Sequence, residues 1–123
     1  MARPFRALII DDDRALALLV RRTLEFTAGW EVVTAASGAS GIALARTAAL
    51  DVILVDVMMP ELDGYEVCRR LKADPATGAV PIVLLTARRD LDQRRLAETG
   101  AAGVIFKPFQ PEDLARQVRA LCP

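Results

Sequence analysis

Short apolar runs alternate with amphipathic, charge-rich stretches along the whole chain, and this alternation is the first thing the sequence offers. ALII at 7–10, EVVTA at 31–35, the run from Asp51 to Asp56, PIVLLTA at 81–87 and GVIF at 103–106 read as five strands. Three of them are continuous apolar runs, the pattern of strands covered on both faces. Between them lie helical patterns. Asp13 is placed to cap a helix reaching about Phe26, with Leu16, Leu19, Val20 and Leu24 on one face, and Gly29 ends that unit. Ser37 opens an Ala-rich helix to about Ala48, and Asp63 caps a third carrying Tyr65, Val67, Cys68 and Leu71. A charged helix is predicted over about 90–99, ahead of Gly100, and a last one from Pro111 to Leu121. Pro75, Gly78 and Pro81 make 74–81 a loop. Five strands alternating with five helices predict an α/β fold with a parallel sheet and right-handed crossovers. Periodicity does not fix the strand order.

Composition narrows the function. A chain of 123 residues is expected to form a single domain over 1–123, large enough to bury a core without staples. Sixteen basic residues balance sixteen acidic ones, so the excess positive charge of a nucleic-acid binder is missing. No apolar run approaches the span of a bilayer, and the apolar stretch before Asp11 is too short for a signal peptide. The expectation is a cytoplasmic protein without direct nucleic-acid or membrane contacts. Cys68 and Cys122 lack metal-ligand spacing and read as small buried or frayed thiols; with no histidine in the chain, Ser-His and Cys-His mechanisms are excluded.

Chemistry gathers at the strand ends. Strand one is followed by Asp11 and Asp12, strand three ends in Asp56, strand four in Thr86, and Lys107 follows strand five. In a parallel α/β sheet these ends share one edge. Taken singly, each has an ordinary structural explanation: helix capping and solvated charge for the aspartates, β-propensity for the threonine, a surface position for the lysine. Together they imply more. Three converging carboxylates repel one another unless a cation joins them, and an oxygen-only donor set suits Mg²⁺. A hydroxyl and an ammonium beside it suit the oxygens of a transferring phosphoryl group. The residues therefore point to a Mg²⁺-dependent phosphoryl site, with Asp56 as nucleophile or metal ligand.

The order IIDDD, VDVMMPELDG, LLTA, KPF resembles that of the receiver domain of bacterial two-component response regulators, over essentially the whole chain. The resemblance implies a flavodoxin-like, doubly wound sheet of order 2-1-3-4-5. It implies that Asp56 accepts a phosphoryl group from the phosphohistidine of a sensor histidine kinase or phosphotransfer protein. Asp12 would bind Mg²⁺ directly, Asp11 through water, and Met58 through its backbone carbonyl. Lys107 would pair with the phosphoryl group or Asp56, Thr86 would turn inward to it, and the Lys107–Pro108 bond would be cis. Phosphorylation would then shift the domain between two packings that differ in partner binding.

Three departures from the family pattern qualify this. Val104 stands where an aromatic ring usually changes rotamer, so the switch is expected to run through Thr86 and be reported by displacement of the loop and the fourth helix. Phe106, two residues on, is expected to pack in the core. Ala102 and Gly103 replace an acidic pair used in dimerisation, which favours a monomer or weak dimer, and either a stand-alone regulator or a receiver attached to a non-DNA-binding partner. The output would be a downstream effector protein or a fused output domain. Arg88, Arg89, Arg94 and Arg95 read as a solvated helix face. Neither Met58 nor Arg88 can orient an attacking water as an acid or amide would, so a long-lived phosphoryl-aspartate is expected. The competing readings are a Mg²⁺-dependent phosphatase or phosphotransferase with an aspartyl nucleophile, and an interaction domain that is never phosphorylated.

Overall fold

The structure is a computed structural model that describes residues 3–123. Its strands are β1 (Arg6–Ile10), β2 (Glu31–Ala35), β3 (Val52–Asp56), β4 (Ile82–Thr86) and β5 (Gly103–Phe106). The helices are α1 (Arg14–Ala28), α2 (Gly38–Thr47), α3 (Gly64–Ala73), α4 (Gln93–Thr99) and α5 (Pro111–Leu121). All strand pairs are parallel, in the order β2-β1-β3-β4-β5. The central strands are buried on both faces, which explains their unbroken apolar runs.

Alternation along each strand divides the core into two layers. Ala7, Ile9, Val52, Leu54, Val83, Leu85 and Ile105 face Ala17, Val20 and Leu24 of α1 and Leu114 and Val118 of α5. On the opposite face Leu8, Ile10, Ile53, Val55, Ile82 and Leu84 meet Ala45 of α2 and Val67, Cys68 and Leu71 of α3. The caps follow the sequence. Asp13, Ser37, Asp63 and Asp92 accept N–H bonds from Leu16, Ser40, Glu66 and Arg95 at the starts of α1 to α4. Gly29 and Gly100 take left-handed conformations at the ends of α1 and α4.

Three local expectations are corrected. Leu19 is 52% exposed rather than part of the buried face of α1. At 3.6 residues per turn it points about 130° away from the centre of the Ala17, Val20 and Leu24 row. Helix α4 starts at Gln93, not near residue 90, because the Asp92 carboxylate caps it there. Phe106 is half-exposed, with the Arg89 guanidinium 4.3 Å from its ring centroid, and does not join the core. These positions yield a stability prediction. Leu24→Ala removes a fully buried side chain and is expected to cost about 2–5 kcal/mol, whereas Leu19→Gln is expected to stay within about 0.5 kcal/mol of the parent. Denaturant unfolding of both variants reads the difference.

Candidate functional site

The C-terminal ends of β1, β3, β4 and β5 bring the sequence-predicted residues to one edge of the sheet. Asp56 closes β3 and is 5% exposed; Asp11 follows β1 and is also buried, while Asp12 is exposed. One carboxylate oxygen from each of Asp11, Asp12 and Asp56 lies within 4.8 Å of the others. The Lys107 ammonium donates to Asp11 Oδ2 at 3.1 Å and stands 3.4 Å from Asp56 Oδ1. The Lys107–Pro108 peptide bond is cis.

The backbone fixes these groups from both sides. The Asp13 N–H donates to Asp11 Oδ1 at 2.9 Å, and the Asp11 N–H donates to the Ala35 carbonyl at 3.0 Å. After Asp56 the chain turns through Val57–Asp63, and the Met58 N–H approaches Asp56 Oδ1 at 3.4 Å. Gly64 opens α3 directly against this turn and donates to the Val57 carbonyl at 2.9 Å. A Cβ there would stand 2.7 Å from Val57 Cα and closer still to the Asp56 carbonyl oxygen. Only glycine allows that approach.

The electrostatics match the crowding. Burial, and then the charge of Asp11, push the Asp56 carboxyl from an ordinary value of 3.8 up to about 6, against the pull of Lys107 and the Met58 N–H. Burial alone would lower Lys107, but the charges of Asp11 and Asp56 carry it above its ordinary range. One ammonium thus faces three carboxylates, a site short of positive charge. Oxygen donors, two of them buried, at this spacing fit a small hard cation such as Mg²⁺.

Thr86 is fully buried at the end of β4, and its hydroxyl accepts the Arg88 N–H at 3.1 Å. In this arrangement it serves its own loop. The Met58 side chain is 52% exposed beside Asp56. The arginines form no single solvated helix face. Arg88 pairs with Asp90 at 3.0 Å and Arg89 covers Phe106, both ahead of α4, while Arg95 bonds Asp63 through both guanidinium nitrogens at 2.8 and 2.9 Å. Sequence reasoning missed this last tie because its partners lie 32 residues apart. Nor does the sequence reveal the role of Gly64, since its close approach to the Asp56 carbonyl exists only in the folded chain. Both thiols behave as expected: Cys68 is buried, donating to the Thr99 carbonyl at 3.3 Å, and Cys122 is half-buried.

A doubly wound sheet with an acidic cluster, a lysine and a hydroxyl at its C-terminal edge defines a class of phosphoacceptor signalling domain. Residues 7–119 match the response regulator receiver domain, and the chain belongs to that family, the phosphorylation-controlled signalling modules of two-component systems. It is 42% identical over 117 residues to the DNA-binding dual master transcriptional regulator RpaA of Synechocystis sp., covering 94% of this chain and 48% of that protein. The chain spans about half the length of the curated relatives it matches. The chemotaxis protein CheY4 of Vibrio cholerae superposes with a TM-score of 0.89 at 32% identity, covering 97% of this chain and 99% of that one. The receiver domain of the sensor histidine kinase PA1611 from Pseudomonas aeruginosa, solved with magnesium in its active-site cleft, gives a TM-score of 0.86 at 27% identity, covering 97% and 98%. Among the described residues, no helix is long and apolar enough to cross a membrane.

Proposed function

We propose that residues 1–123 form one receiver unit in which Asp56 accepts the phosphoryl group and Asp11, Asp12, Asp56 and the Met58 carbonyl hold Mg²⁺. The observation that carries this reading is the convergence of three carboxylates and one ammonium, from three strand ends, on a single point. Mg²⁺, when bound, offsets the negative charge of the phosphoryl oxygens and of the acidic cluster. The remaining steps belong to the chain. An Asp56 oxygen forms the new P–O bond as the P–N bond of a phosphohistidine breaks, and the released imidazole nitrogen takes a proton. The donor lies outside this chain, which contains no histidine; a sensor histidine kinase or phosphotransfer protein supplies it. Lys107, already seated between Asp11 and Asp56, stabilises the added charge, and the Thr86 hydroxyl turns from the Arg88 N–H towards the phosphoryl oxygens.

The module acts in the cytoplasm by self-phosphorylation and self-dephosphorylation, without turnover of a separate substrate. Its output is a fused domain or a separate effector, and any nucleic-acid contact falls to that output, since these residues carry no net charge. At positions 58 and 88 the apolar side chain of Met58 and the guanidinium of Arg88, engaged by Asp90, supply no acid or amide to orient water, which supports a long-lived phosphoryl-aspartate.

Incubation with a small acyl phosphate and Mg²⁺ tests this reading. One phosphoryl group per chain is expected, whereas steady hydrolysis of phosphate esters would favour a phosphatase, and the absence of any label would favour a non-phosphorylated interaction domain. Protons compete with the cation for Asp56. Mg²⁺ at about 100 times its dissociation constant is expected to stabilise the fold by about 2.7 kcal/mol at neutral pH, and that gain is expected to fade as pH falls below about 6. Thermal melts with and without Mg²⁺ across pH read both effects.

A further inference from the structure

Helix α4 is seven residues long and buries only Thr99 completely, so its own packing does little to fix it. What holds its first turn is the first turn of α3. The Tyr65 hydroxyl accepts the Asp92 N–H at 3.1 Å, and the Arg95 guanidinium lies 4.7 Å from the centroid of the same buried ring. Both guanidinium nitrogens also reach the Asp63 carboxylate, whose Oδ1 caps α3 through the Glu66 N–H. All of these contacts join residues 63–65, where Gly64 abuts the Asp56 carbonyl, to the segment that ends the Thr86 loop.

That loop hangs between two hydroxyls. Its near end is held by the Arg88 N–H on Thr86, its far end by the Asp92 N–H on Tyr65. Beside it lies a half-open pocket of about 190 Å³ lined by Val57, Met58, Tyr65, Thr86, Arg88 and Leu91, among others. Drawing Thr86 towards Asp56 removes the acceptor of the Arg88 N–H, and the pocket gives the loop room to follow. The tie to Tyr65 and Arg95 opposes this movement. Val104, half-buried on β5 and packed against the same core layer as Leu96, has no ring that could take over the task.

We propose that Tyr65 and Arg95 are positioning residues: together with Asp63 they latch the 87–92 loop and the start of α4 in the arrangement seen here, and so set how readily Thr86 closes on a phosphoryl group at Asp56. The inference rests on the proposed role of Asp56. Coupling is reciprocal, so a latch that favours the open loop must weaken the affinity for the phosphoryl group, and loosening it must strengthen that affinity. Arg95 and Asp63 are partly exposed, which limits the latch to the strength of one or two ordinary polar contacts.

Beryllofluoride with Mg²⁺, a mimic of the phosphoryl group, reads the coupling by calorimetric titration of the 123-residue chain. Tyr65→Phe, which removes only the hydroxyl, and Arg95→Met are each expected to bind it about three- to tenfold more tightly than the parent. The double variant is expected to gain less than the product of the two, because both act on one latch. A purely structural role would leave the affinity unchanged or lower it. Unchanged or weaker binding in both single variants, with the parent binding normally and Asp56→Asn not at all, would overturn the latch and leave the role of Asp56 standing. Failure of the parent itself to bind would overturn both.

Discussion

Asp56→Asn is expected to abolish phosphoryl acceptance and, at the same time, to make the fold more stable at neutral pH. The first effect follows from chemistry, because an amide cannot supply the nucleophilic oxygen or the charge that draws a cation. The second follows from the environment of the carboxyl. Burial and Asp11 raise Asp56 to about 6 in the folded chain, against an ordinary 3.8. The folded state therefore holds this proton more tightly than the unfolded state. The contribution of this group to stability is most favourable below about pH 4, declines as pH rises through the interval up to about 6, and its full cost is present above it. Removing the charge relieves that cost, worth on the order of 1–3 kcal/mol at pH 7, and flattens the acid side of the pH profile. Lys107 keeps Asp11 as a partner at 3.1 Å, so the substitution strands no buried ammonium. Urea unfolding of parent and variant from pH 4 to 8 checks the stability claim. A variant less stable than its parent at pH 7 would mean that Asp56 is better compensated than its neighbours imply.

Gly64→Ala is the second large effect. The added methyl would meet Val57 Cα at 2.7 Å and the Asp56 carbonyl oxygen more closely still. Both are backbone atoms of the strand end and the turn that follows, and neither can swing aside as a flexible side chain could. By contrast, the atoms nearest a Cβ at Gly41 all belong to the Ile10 side chain. Relief at Gly64 requires α3 to back away from β3, at a cost of about 3 kcal/mol. Because the same atoms set the direction of the Asp56 carboxyl, the folded fraction is also expected to accept phosphoryl groups more slowly. Thermal unfolding together with the labelling rate per folded molecule separates the two effects.

Much of this molecule could be read from the chain because its sheet is parallel and covered on both faces. β3 and β4 therefore appear as uninterrupted apolar runs, and Asp13, Ser37 and Asp63 mark helix starts by local hydrogen bonds that need no tertiary information. The site residues were legible for the same reason: parallel strands place Asp11, Asp56, Thr86 and Lys107 on one edge whatever the strand order. That order came from family resemblance, since alternation alone permits several. What stayed hidden depends on contacts between distant segments. The direction of Leu19 follows from the roll of α1 on the sheet, which a list of apolar residues does not fix. Phe106 lies on the edge strand β5 under Arg89 of a segment remote in sequence, a placement that its apolar type does not reveal. Arg95 looked like a solvated charge because Asp63 and Tyr65 are remote in sequence.

Asp56, at the centre of the acidic cluster, is where a phosphoryl group is expected to come to rest. The most direct measurement is to label the parent chain with an acyl phosphate in the presence of Mg²⁺, trap the acyl phosphate by reduction with borohydride, and map the modified residue by peptide mass spectrometry. A single modified residue, Asp56, is expected, with no label when Mg²⁺ is chelated. Modification at Asp11, Asp12 or any other residue, or equal labelling without the metal, would contradict it.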